Sequence, residues 1–187
     1  LRTVAIKPYP ICHFNHAPVD AALCLREQHG VSMNEIESVT VQLDERQFGV
    51  VVDPIESKRL PQSEYDAKFS VPYAVATALV RGRFGLAELE DAARLDSDVL
   101  ALAQRIHCEC DARSCYPDAF SGGVRIKTKD GRVLEHFEEV NRGAAGRLLG
   151  AEQVYEKFMA NCALTISTER AEALWESLHR MDELEEV

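Results

Sequence analysis

The sequence predicts an α+β fold, and three observations carry that prediction. Residues 1–142 mix period-two apolar runs with helical stripes, an Asp-Gly turn joins two of those runs, and everything past Asn141-Arg142-Gly143 is helical. A chain of 187 residues with 46% hydrophobic content can bury one core and part of a second. No apolar run approaches the roughly 18–20 residues of a membrane span. With 21 basic against 31 acidic residues, the net charge of −10 argues against a nucleic-acid surface.

In chain order, Thr3-Val4-Ala5-Ile6 reads as a short strand stopped by Lys7-Pro8-Tyr9-Pro10. A helix starts near Pro18, which suits a first helical position, and stops at Gly30. Ser38 to Leu43 alternates and is a strand. Residues 44–66 lack a firm period; Val50-Val51-Val52 is a candidate strand and the remainder a long connection. Ser70-Val71-Pro72 opens a second helix that Gly82 closes. Leu86 to Leu89 begins a short one, and Asp96-Ser97-Asp98 caps another with Val99, Leu102 and Ile106 inward. After a cysteine-bearing loop, residues 123–128 and 132–137 flank Lys129-Asp130-Gly131 as a hairpin.

The tail carries two helical stripes, one through Val154, Tyr155, Phe158 and Cys162, the other through Ala171, Leu174, Trp175, Leu178 and Met181. Two short helices have little to bury against alone, so this tail reads as a piece of a larger helical body. The first residue is Leu rather than Met, which leaves room for processing or a longer parent.

Charge is unevenly placed. Glu169 to Val187 holds seven carboxylates against two arginines, whereas Leu1 to Val19 holds no carboxylate at all. That leading segment contains Arg2, Lys7, His13 and His16, a composition suited to an anionic ligand and equally to an ordinary interface. Lys7 lies at a strand exit ahead of the Pro18 helix, where unpaired N–H groups favour anions. Lys7 and His16 can therefore receive a carboxylate; the alternative is a solvated lysine and a helix-capping histidine. Ser70 can cap the second helix and donate to a ligand, while Tyr73 can reach an anion there or stand as a half-buried amphipath. His107, His136 and His179 read as structural or solvated.

Six cysteines occur, at 12, 24, 108, 110, 115 and 162. The group His107-Cys108-Glu109-Cys110-x4-Cys115 has one C-x-C pair and no second pair, unlike structural zinc or iron–sulfur spacings. Reduced thiols of a cytoplasmic protein, without metal, are the expectation. Cys12 is read as a small hydrophobe at a site edge rather than a nucleophile.

Two segments resemble the C-terminal domain of MmgE/PrpD proteins: Ile6-Lys7-Pro8-Tyr9-Pro10 through Ala22, and Asp66-Ala67-Lys68-Phe69-Ser70-Val71-Pro72-Tyr73 through Ala76. Asp130-Gly131, Asn141-Arg142-Gly143 and the Lys157-Phe158 helix follow in the family's order. The resemblance covers essentially the whole chain. That family includes 2-methylcitrate dehydratase, cis-aconitate decarboxylase and iminodisuccinate epimerase. It implies an α+β lid over residues 1–145, and a C-terminal helical segment 146–187 belonging to an all-helical domain whose N-terminal part this chain lacks. It implies that Lys7 and Tyr73 line the active site as catalytic residues, with His16 as a substrate-binding carry-over; His13 and Ser70 are substrate-binding candidates from the residues themselves. It also implies a small polycarboxylate substrate, a homodimer, and no metal or organic cofactor.

His16 and the run Phe69 to Tyr73 look closer to the decarboxylase and epimerase branches. Gly146-Arg147-Leu148-Leu149-Gly150 departs from a proline-containing turn common in the family. Two functional classes follow: part of a lyase or isomerase acting beside a carboxylate, or a non-catalytic anion-binding or assembly domain.

Overall fold

The computed structural model describes residues 4–181. The chain divides into two compact units at the Arg147–Leu148 bond. The first unit is α+β and is built on a four-stranded mixed sheet, in the order β2-β1-β3-β4. Its strands are β1 (Ile36–Leu43), β2 (Ile106–Cys110), β3 (Gly122–Thr128) and β4 (Val133–Glu138). β1 pairs parallel with β2, Val39 opposite Ile106, and antiparallel with β3, Val41 opposite Val124. β3 and β4 form the hairpin expected around Asp130-Gly131.

Strand alternation places Val39, Val41, Leu43, Ile106, Val124 and Ile126 on one face, where all are buried. Two helices cover that face: α1 (His16–His29) lies over β3 and β4, and α5 (Val71–Arg81) packs on α1 and β2. A parallel neighbour cannot be reached by a tight turn. Residues 44–105 provide the crossover through α2 (Phe48–Val51), α3 (Ile55–Arg59), α4 (Glu64–Lys68), α5, α6 (Asp91–Arg94) and α7 (Ser97–Ala103).

The caps follow the residue types. Gly30 and Gly82 end α1 and α5 in left-handed backbone, at φ 60° and 70°. Ser70 Oγ accepts from Tyr73 N at 3.0 Å, and Asp96 accepts from Asp98 N at 2.9 Å to start α7. α1 begins two residues ahead of Pro18, which then sits in the first turn, where no intrahelical bond needs its missing N–H.

Four expectations change. Val4 to Ile6 is not a strand: Ile6 donates to Gly143 O at 3.0 Å, a single bond to a loop and not a ladder; Thr3 lies outside the described residues. Val50 and Val51 belong to the helical turn α2, because Asp44 caps the preceding turn by accepting from Arg46 N and the chain runs on into it. The connection 44–66 is not structureless but holds three helices of four or five residues, too short for a period to show. The cysteine loop begins as strand β2, and Ile106 opens that strand instead of facing inward from α7.

The second unit is a helical hairpin of α8 (Ala151–Cys162) and α9 (Thr168–His179). Trp175 packs against Tyr155 and Phe158, each at 5.1 Å between ring centroids, and Ser167 caps α9 by accepting from Arg170 N. Ala171 is buried, whereas Leu174, Leu178 and Met181 remain about half exposed. The last tail carboxylates lie outside the described residues. Among the described residues, no helix is long and apolar enough to cross a membrane.

Burial separates two positions of the hairpin: Ile126 is fully buried and Val133 is 60% exposed. Ile126→Ala should lower unfolding free energy by about 2–5 kcal/mol and Val133→Ala by less than about 0.5 kcal/mol, read by urea denaturation. Equal effects would contradict this facing of the sheet.

Candidate functional site

The turn from Lys7 to His16 folds around one acceptor, the carbonyl oxygen of Ile11. Lys7 Nζ donates to it at 3.1 Å, and His16 Nε2 lies 3.3 Å from it. A carbonyl only accepts, so Nε2 carries the proton and Nδ1 is the bare nitrogen of the neutral ring. That Nδ1 is buried and has no hydrogen-bond partner among the described residues. Burial holds the His16 pKa down to about 3, with His13, Lys7 and Arg142 adding to the effect.

His13 is half-buried beside it, 4.8 Å from His16 and 5.1 Å from Phe120 between ring centroids. Burial, then the Lys7 charge, lowers its pKa as well. Cys12 N donates to Lys68 O at 2.9 Å, joining the turn to the end of α4. Burial raises the Cys12 thiol against the opposing pull of Lys7 and Lys58. The turn therefore offers cationic Lys7, neutral imidazoles and an un-ionised thiol.

The other expected residues sit in the core beneath. Ser70 is fully buried; its Oγ caps α5 and donates to Lys58 O. Tyr73 is fully buried too, its hydroxyl donates to Glu88 O, and burial raises its pKa. Lys7, His13 and His16 are thus gathered at Ile11, while Ser70 and Tyr73 hold the start of α5.

Sequence reasoning missed three contributors. Lys58 donates to Val50 O at 2.7 Å and to Phe69 O at 2.8 Å, tying α2 to the entry of α5, and it lies in the stretch without a period. Tyr116 and Phe120 pack on Phe14 at 5.6 and 5.5 Å, so the loop after β2 walls one side of the turn. Their only signal was an aromatic pair inside a loop. Cys108 points into the core, where burial pushes its thiol up to about 12, and Cys110 is exposed at the sheet edge. Among the described residues no His, Cys, Asp and Glu side chains gather in a way that could hold a metal ion.

The sequence model of the MmgE/PrpD C-terminal domain matches residues 9–183. The chain belongs to the MmgE/PrpD family. It is 28% identical over 177 residues to 2-methylcitrate dehydratase of Salmonella typhimurium, covering 89% of this chain and 36% of that protein. To 2-methylcitrate dehydratase of Escherichia coli it is 27% identical over 179 residues, covering 90% of this chain and again 36% of the relative. The chain therefore spans little more than a third of these relatives' length.

The buried neutral His16 makes a pH prediction. Between its folded pKa of about 3 and the ordinary 6.5, the unfolded chain binds a proton that the folded chain does not. Stability must then fall as pH drops through that window, with a slope approaching about 1.4 kcal/mol per pH unit for one proton. His16→Gln, whose amide can still donate to Ile11, should flatten the slope between about pH 6.5 and pH 5 in urea denaturation. An unchanged slope would show that His16 is not held neutral.

Proposed function

We propose that this chain is the C-terminal part of an enzyme that binds a small polycarboxylate and moves a proton next to one of its carboxylates, with 2-methylcitrate dehydration as the leading reaction. The observation that carries the reading is Lys7 fixed at the Ile11 carbonyl on a turn with no carboxylate of its own. The first carboxylate in the chain, Asp20, is buried and paired with Arg142 at 3.2 Å. Membership of the MmgE/PrpD family and the names of the two relatives support the same substrate class.

In a dehydration, one carbon loses a proton and its neighbour loses hydroxide, so water leaves and a double bond forms. Charge builds on the carboxylate next to the deprotonated carbon, and a fixed ammonium stabilises it more in the transition state than in the ground state. Lys7 takes that role. His13, neutral and half-buried beside it, serves as a hydrogen-bonding group for the substrate. Ser70 and His16 act beneath, through α5 and through Ile11. Tyr73 would have to leave the Glu88 carbonyl to give a proton, so it steadies α5, and the proton-transfer groups come from the parent's helical domain. That helical domain is the chain's partner within the enzyme, which acts as a homodimer in the cytoplasm.

Lys7→Met in the parent enzyme should lower kcat/KM for 2-methylcitrate by about 100-fold or more, the scale of removing one charge-stabilising donor. Lys7→Arg should recover part of it. The assay is NMR of substrate and product, run also on cis-aconitate and iminodisuccinate. Unchanged kcat/KM in Lys7→Met removes Lys7 from the site, and faster turnover of either other acid reassigns the reaction. The 187-residue chain by itself should show no turnover.

A further inference from the structure

We infer that Arg142 is a positioning residue that latches the Lys7 segment from the far end of the first unit, an inference resting on the reading of Lys7 as a carboxylate ligand. Lys7 is flanked by two anchored residues. On one side, Ile6 N donates to Gly143 O at 3.0 Å. On the other, the hydroxyl of Tyr9 donates to Asp20 Oδ1 at 2.5 Å and accepts from Arg142 Nη2.

Arg142 closes the group. Its backbone N donates to Asp20 Oδ2 at 3.2 Å, and its Nε lies 3.2 Å from Asp20 Oδ1. Its guanidinium carbon stands 5.4 Å from the centre of the Tyr9 ring. Tyr9 and the Asp20 side chain are almost completely buried, at 5% and 4% exposure, so their polar atoms need these partners. The Tyr9 ring in turn meets His16 edge-on at 5.3 Å between ring centroids, so the latch touches one of the two groups that share the Ile11 carbonyl.

Gly143 sets how close the loop can come. Its φ is +85°, and a Cβ there would overlap the carbonyl oxygen of Ile6. Gly143 N donates to Arg147 O at 2.7 Å, which fixes the loop from behind. Two consecutive residues, Arg142 and Gly143, thus hold both flanks of Lys7, and the charged side chain that completes the latch is Arg142.

A brick of the core and a positioning residue differ in how their effects combine with loss of Lys7. The test uses the chain with tricarballylate, a tricarboxylate, as probe, followed by NMR titration and amide hydrogen exchange. Arg142→Gln should speed exchange of the Ile6 amide by about tenfold or more, while amides of β1 and α5 change by less than about twofold. Arg142→Lys should recover most of the protection. Tricarballylate binding should weaken by about tenfold on Arg142→Gln with Lys7 present, and by less than about twofold in a Lys7→Met background. Unchanged Ile6 protection overturns the latch. Equal weakening in both backgrounds overturns its link to Lys7. Equal binding by wild type and Lys7→Met overturns the premise, and does so without reference to Arg142.

Discussion

A single carbonyl oxygen organises the turn on which the functional reading depends. Ile11 O receives Lys7 from one direction and His16 from the other, and this sets both the place of the ammonium and the tautomer of the imidazole. A neutral imidazole in a buried first helical turn is the cheaper state, since an imidazolium there would face unpaired N–H groups and nearby cations. The charge at the turn is consequently concentrated on Lys7. The rest of the first unit serves to keep this turn still: α1 grows out of it, α5 lies beneath it, and the sheet backs both helices.

The parts legible in the sequence were those with a local cause. Gly30 and Gly82, the Ser70 and Asp96 caps, and the Asp130-Gly131 hairpin all declare themselves within a few residues. What escaped was either too short or too non-local. A helix of four residues such as α2 completes barely one turn, so three valines in a row look like a strand. β2 was hidden for a different reason: its alternation runs Ile106, Cys108, Cys110, and it registers only if cysteine is counted as an apolar side chain. The candidate site divides in the same way. Lys7, His13 and His16 share one short segment and could be grouped from sequence. Arg142 reaches it through a hydrogen bond to Tyr9, and Lys58 ties α2 to the entry of α5, both by contacts that no pattern announces.

Buried polar groups are handled unevenly across the molecule. Tyr9 and Asp20 bond to each other and to Arg142, and Ser70 and Tyr73 donate to the carbonyls of Lys58 and Glu88. At the turn, His13 Nε2, Asn15 Oδ1 and His16 Nδ1 are buried without a hydrogen-bond partner among the described residues. Unmet hydrogen-bonding capacity is costly in a core, and it recurs away from the turn, at Gln47, Thr77, Asn141 and Arg142 Nε among others.

The bond between Arg142 and Tyr9 spans 133 residues of sequence. Closing so large a loop costs entropy that grows only slowly with its length, on the order of (3/2)RT ln n. The segment carrying Lys7 is therefore a seam at which the first and last stretches of the unit are sewn together. Under the proposed reading, a carboxylate bound at Lys7 favours the closed seam, and opening the seam weakens that binding by the same free energy. Occupancy of the turn and closure of the seam would then be two readings of one equilibrium.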